Sequence, residues 1–124
     1  MIVYCSHDLI FATKIRSTAE VLGVVTRPVR DLQMFRKRLD RFDDGKPNDP
    51  VSAVMVDLET GPTGLEILEQ SKRYDQALPV IMFGSHVATE LFDKARSRGA
   101  DFVMPRSAFS AQLPQLLRRF AAEG

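Results

Sequence analysis

At 124 residues the chain fits a single domain with room for a sizeable core, so one domain over 1–124 is expected, with no output domain attached. A net charge of +1 excludes a global field that would steer the protein to nucleic acid or anionic lipid, and one cysteine, Cys5, excludes an internal disulfide. No secretory leader pattern precedes the first strand and no apolar run approaches a membrane span, so a cytoplasmic protein without a membrane partner is expected.

Apolar runs alternate with segments of helical period, the signature of βαβ units around a parallel sheet. The first strand is Met1 to Cys5. A helix from about Asp8 to Leu22 follows, with Leu9, Ala12, Ile15, Ala19 and Leu22 as its buried stripe, Ser6 or Asp8 as its cap and Gly23 as its stop. Val24 to Thr26 is a short second strand closed by Pro28, and Leu32, Phe35, Leu39 and Phe42 mark a second helix. Residues 43–50 form a polar loop rich in turn formers. Val51 to Asp57 is a third strand, apolar nearly throughout as a strand covered on both faces should be. A third helix runs from Gly64 to about Tyr74, a fourth strand from Leu78 to Phe83, and a fourth helix from Val87 to Arg98, stopped by Gly99. Phe102 to Met104 is the fifth strand. Leu113, Leu116, Leu117 and Phe120 line a last helix, which accepts Pro114 only within its first turn.

Asp57 is the residue that most asks for an explanation. A carboxylate at the carboxyl end of a buried central strand sits where open α/β sheets place their chemistry.

The five βα units, Asp57 closing the third strand, Leu78-Pro79-Val80-Ile81-Met82, and the run Gly99-Ala100-Asp101-Phe102-Val103-Met104-Pro105-Arg106-Ser107-Ala108 resemble the receiver domain of two-component response regulators. The resemblance covers the whole chain. It implies a flavodoxin-like (βα)5 doubly wound parallel sheet of strand order 2-1-3-4-5 and a phosphoacceptor at Asp57.

Departures from the family pattern concern the site. The acidic pair that holds Mg²⁺ in the family falls on Cys5 and Ser6, and a thiol and a hydroxyl are poor donors for a hard cation. Asp8 is nearby, with helix capping as its expected role. The family hydroxyl after the fourth strand falls on Gly84 and is displaced to Ser85, the conserved-type Lys falls on Arg106, and the switch aromatic falls on Val103 beside Phe102. Without Mg²⁺ at the transferred group, phosphoryl transfer slows by orders of magnitude. The chain therefore reads as a divergent, pseudo-receiver-like signalling module that needs no cofactor and acts by binding another protein.

Each candidate residue also has a bland reading. Asp57 is either a phosphoacceptor supported by Ser85 and Arg106 or an ionised carboxylate held structurally by Arg106 and backbone N–H groups. Ser85 is either a phosphate donor or the N-cap of the fourth helix. Cys5, His7 and His86 lie just beyond strands one and four and, with Asp57, form a transition-metal or small-molecule site only if they converge; otherwise Cys5 is a small buried apolar residue and the histidines are solvated. A reactive thiol at Cys5 requires a neighbouring cation such as Arg106 to lower its pKa. The basic second helix, with Arg27, Arg30, Arg36, Lys37, Arg38 and Arg41, is interleaved with Asp31, Asp40, Asp43 and Asp44, which argues for a solvated face over nucleic acid.

On the helix 4/strand 5/helix 5 face, Lys94, Arg96, Arg98, Arg118 and Arg119 favour an acidic partner or a homodimer bridged by Asp93 and Glu90. The competing reading is a functional single-domain response regulator, phosphorylated on Asp57 by a histidine kinase or a small phosphodonor, with Asp8 and Asp57 holding Mg²⁺.

Overall fold

A computed structural model describes residues 1–40, 42–43 and 45–121, and among these described residues are seven strands and five α-helices. In order they are β1 (Ile2–Cys5), α1 (Leu9–Leu22), β2 (Thr26–Pro28), α2 (Leu32–Leu39), β3 (Phe42–Asp43), β4 (Lys46–Pro47) and β5 (Ala53–Asp57). A 3₁₀ turn over Leu58–Thr60 leads into α3 (Pro62–Tyr74), followed by β6 (Val80–Gly84), α4 (Thr89–Ser97), β7 (Phe102–Pro105) and α5 (Arg106–Phe120). Five strands form one parallel sheet in the order β2-β1-β5-β6-β7. With the β3–β4 hairpin set aside, this is the order 2-1-3-4-5 implied by the receiver resemblance, a flavodoxin-like α/β fold.

Successive side chains of a strand point to opposite faces, and each face has its own core. Val3, Cys5, Val54, Val56, Val80 and Met82 pack with Phe35 of α2, Ile67 and Leu68 of α3, and Phe92 and Ala95 of α4. Ile2, Tyr4, Ala53, Met55, Ile81 and Phe83 pack with Ile15 and Ala19 of α1 and with Phe109, Leu113 and Leu117 of α5. Coverage on both sides is why β5 and β6 are apolar at almost every position, and why the polar group at the end of β5 is buried.

Caps set the first helix as expected. Asp8 accepts the Ile10 and Phe11 amides at 2.9 and 3.4 Å, and Gly23 ends α1 in the left-handed conformation at φ 71°. The buried stripe differs: Leu9 is 81% exposed, and Phe11 packs on the core in its place.

Four further expectations are corrected. The second strand starts two residues later and contains Pro28, which an edge strand accepts because the Val29 amide, at 2.8 Å, serves the Tyr4 carbonyl. The second helix stops at Leu39, and Phe42–Asp43 pairs antiparallel with Lys46–Pro47 around Gly45 at φ 78°, so part of the expected polar loop is a hairpin. Asn48 explains the early stop: its side-chain amide donates to the carbonyls of Lys37 and Asp40, both at 2.9 Å, where the helix runs out of partners. Arg41 and Asp44 of the expected basic helix and loop lie outside the described residues.

Pro114 lies inside α5, well past the first turn. Its ring removes one helical hydrogen bond, and the helix continues because Phe109, Leu113, Leu116 and Leu117 are buried against the sheet on both sides of the break. Finally, α4 begins at Thr89 and not at Val87, whose side chain is exposed. Among the described residues no helix is long and apolar enough to cross a membrane.

Candidate functional site

The carboxyl ends of β1 and β5 and the start of α5 meet around Asp57, which is 1% exposed. An ionised group so deep needs partners, and each of its oxygens has two donors. Oδ1 accepts the Glu59 amide at 3.0 Å and Arg106 Nη2 at 3.3 Å; Oδ2 accepts the Ser6 hydroxyl at 3.0 Å and the same Nη2 at 3.1 Å. A carboxylate offers about four lone-pair directions, so this acceptor is saturated. Arg106 Nη2 also meets Glu59 Oε2 at 2.9 Å, so one nitrogen touches three carboxylate oxygens.

Three elements hold that guanidinium in place. Arg106 is the first residue of α5, directly after Pro105 fixes the end of β7. Its Cζ lies 5.0 Å from the centre of the Phe11 ring on α1, and Phe11 stacks at 5.5 Å on Phe83, which stacks at 4.0 Å on Phe109. Burial alone lowers the Arg106 pKa, but the negative charges of Asp57 and Glu59 outweigh it and raise it further. Nε of Arg106 is buried and makes no hydrogen bond. Below Asp57 the packing is tight. The Thr60 hydroxyl donates to the Asp57 carbonyl at 2.6 Å, and a Cβ added to Gly64 would lie 2.5 Å from that hydroxyl oxygen.

The other candidate residues fall as follows. Asp8 is the cap of α1 and, with His7, Asp57 and Glu59, lines a cleft of about 250 Å³. Ser85 accepts the Val87 amide at 3.4 Å, so it braces the turn before α4; the residue at the cap position of α4 is Ala88. No hydrogen bond joins Ser85 to Asp57 among the described residues.

Cys5 is fully buried and its thiol is pushed up to about 11, first by desolvation and then by the Asp57 charge, against a bond from Thr60 that favours the thiolate. This is the opposite of an activated thiol. His7 is exposed, with Nε2 3.3 Å from the Arg30 carbonyl oxygen, and His86 is exposed as well. Among the described residues no three His, Cys, Asp or Glu side chains are grouped so as to hold a metal ion, so Cys5, His7, His86 and Asp57 do not assemble the transition-metal site.

Glu59 and Phe11 escaped the sequence reading. The signal for Glu59 was its place two residues beyond Asp57, where a tight turn brings a side chain back over the strand end. Ser6 was read as a cap of the first helix or a poor metal ligand, whereas Asp8 is the cap and the Ser6 hydroxyl donates to Asp57.

A hard divalent cation wants free oxygen donors in regular geometry. With Asp57 saturated, Asp8 engaged on helix amides, a thiol and a hydroxyl at the end of β1, and a cation already between Asp57 and Glu59, the donor set does not fit Mg²⁺.

No family model matches the chain, and no curated protein matches it. Solved structures do. The receiver domain of NtrX from Brucella abortus is similar with a TM-score of 0.72 at 21% identity, over 96% of each chain. A CheY-like response regulator receiver domain protein from Methanospirillum hungatei gives 0.74 at 15% identity, over 95% of this chain and 90% of that one. NtrX itself gives 0.74 at 20% identity, and this chain spans 26% of its length. At these identities the likeness establishes the fold, which is that of response-regulator receiver domains.

Proposed function

We propose that this chain is a receiver-like signalling module that acts through protein contacts, without Mg²⁺-dependent phosphorylation of Asp57. The observation that carries the reading is the saturation of the Asp57 carboxylate by Ser6, the Glu59 amide and Arg106. A nucleophilic oxygen must be free to attack in line, and here it would first have to leave a guanidinium. Phosphoryl transfer also depends on positive charge at the reacting oxygens, whereas the cleft beside Asp57 is bordered by Asp8 and Glu59 and repels an anionic donor.

The partner in this reading is another signalling protein with an acidic surface. Lys94 and Arg96 of α4, Arg98 at its C-cap, and Arg118 and Arg119 of α5 are exposed, with Arg98 paired to Glu69 at 2.7 Å and Arg96 to Asp93 at 3.6 Å. Electrostatic complementarity of that kind sets association rate and choice of partner more than raw affinity.

A second reading keeps Asp57 as a phosphoacceptor. What favours it is the position of the carboxylate, at the carboxyl end of a central strand beside a cation and a cleft that Asp8 also lines. The two readings separate on incubation with acetyl phosphate and Mg²⁺ followed by intact mass, for wild type and Asp57→Asn, beside a receiver known to be labelled. The expected result is no mass gain in either protein. A Mg²⁺-dependent gain of one phosphate in wild type alone would replace the first reading with the second.

A further inference from the structure

We propose that the groove between α3 and α4 is a docking site for an amphipathic helix of a partner protein, one with an apolar stripe, a basic flank and an acidic flank. This rests on the reading that the chain acts through protein contacts, and it says where one of them is made.

Helical spacing builds the groove. On α3, Pro62, Leu65, Glu66 and Glu69 recur at three- and four-residue steps along one face, while Ile67 and Leu68 are buried in the core beside it. On α4, Leu91, Lys94 and the C-cap residue Arg98 share a face in the same way, while Phe92 and Ala95 are buried. The two faces line one cavity of about 410 Å³. Seven residues of helix rise about 10 Å, so the groove is two turns long.

Its apolar lining is Pro62, Leu65 and Leu91, and its charges are sorted by wall. The α3 wall is acidic, with Glu66 and Glu69; the α4 wall is basic, with Lys94 and Arg98. Glu69 and Arg98 neutralise each other at 2.7 Å. Glu66 and Lys94 are exposed, and neither makes an ion pair among the described residues. An occupant therefore meets an unpaired carboxylate on one side of its apolar contact and an unpaired ammonium on the other.

A helix that lays an apolar stripe in such a groove satisfies both walls with basic residues on the edge facing α3 and acidic residues on the edge facing α4. That acidic edge is the partner chemistry that Lys94 already favours. A small ligand fits less well, because a site for one places polar groups inside the pocket to orient it. Here the charged side chains stand at the rim, with those of Glu69 and Arg98 41% and 40% exposed.

The test is fluorescence anisotropy of the full chain with three labelled, stapled helical peptides of about 14 residues, or about 20 Å. All three carry the same leucine stripe at three- and four-residue spacing. One has lysines on one flank and glutamates on the other, the second has lysines on both, and the third has glutamates on both. Wild type should bind the mixed peptide about fivefold more tightly than either of the others. Lys94→Glu, which makes both walls acidic, should shift the preference to the all-lysine peptide, and Glu66→Lys should shift it to the all-glutamate peptide. Leu91→Ala should weaken all three by about fivefold.

Equal affinity of wild type for the three peptides, or no binding of any of them at about 1 mM, overturns the proposal. So does a wild-type dimer in sedimentation equilibrium that Lys94→Glu breaks, which would give the groove to a second copy of this chain. Each of these failures is distinct from that of the functional reading, which falls only if wild type gains a phosphate.

Discussion

Asp57 shows how one side chain can carry two opposite readings until its neighbours are known. The sequence placed it at a strand end, and the receiver resemblance placed Arg106 near it; both positions hold in the structure. What spacing did not contain was the use of Ser6 and Glu59, because the direction of a hydroxyl and the fold of a three-residue turn depend on contacts from distant strands.

Cys5 makes a second residue-scale point, and a pH prediction. Its thiol is raised from 9.0 to about 11 in the fold, by burial first and the Asp57 charge second. Below pH 9 both folded and unfolded thiols are protonated, and the contribution of the neutral, buried thiol to stability is fully present. Between about 9 and 11 the unfolded chain releases its proton and the folded one does not, so stability is lost as pH rises through that window. Urea unfolding at pH 8 and near pH 11 should show wild type losing about 2 kcal/mol more than Cys5→Ala. Equal losses would mean that Cys5 is more open to solvent than its packing implies.

Elements were legible where periodicity was long and ambiguous where it was short. β5 and β6 announced themselves as continuous apolar runs, and α1 by its caps. The stripe of α1 was misread at its start because Leu9 and Phe11 both fit three- and four-residue spacing to later positions, and only packing on Phe83 and Arg106 separates them. The β3–β4 hairpin was hidden because strands of two residues have no period to read. Pro114 was misplaced for the opposite reason. Local propensity says that a helix should not pass through it, and burial of four large side chains in α5 overrides that.

At the junction of the 3₁₀ turn and α3, helix propensity and packing again pull in opposite directions. Propensity favours Gly64→Ala by about 1 kcal/mol. The new Cβ would lie 2.5 Å from the Thr60 hydroxyl, 3.0 Å from Val56 Cγ1 and 3.4 Å from the Asp57 carbonyl oxygen, and Thr60 is pinned by its own bond to that carbonyl. Overpacking costs typically 1–3 kcal/mol, so it should win by about 1 kcal/mol. Urea midpoints should show Gly64→Ala less stable than wild type, with Thr60→Ala in the same chain relieving part of the loss. A rise in stability for the single change would mean that the strand end yields more readily than its contacts suggest.

For the whole molecule, alternation of apolar and helical segments was enough to give the doubly wound architecture, and the resemblance gave the strand order that the structure has. The site was half legible. Its carboxylate and its cation could be found by position, but that they saturate each other is a property of three elements meeting, β5, α1 and α5. Because the two cores share one sheet, a loss at Asp57 is read out by unfolding of the whole domain.

The most direct test of the central claim, that Asp57 is committed to Arg106, is a double-mutant cycle in urea with Asp57→Asn, Arg106→Gln and both together. Removing Arg106 leaves the buried Asp57 carboxylate without a cation, and removing the Asp57 charge leaves Arg106 with Glu59 alone, so each single change should be costly and the double change should cost less than their sum. A coupling of about 2 kcal/mol is predicted. Additive losses, with coupling below about 0.3 kcal/mol, would contradict the account and leave Asp57 a free carboxylate at the mouth of the sheet.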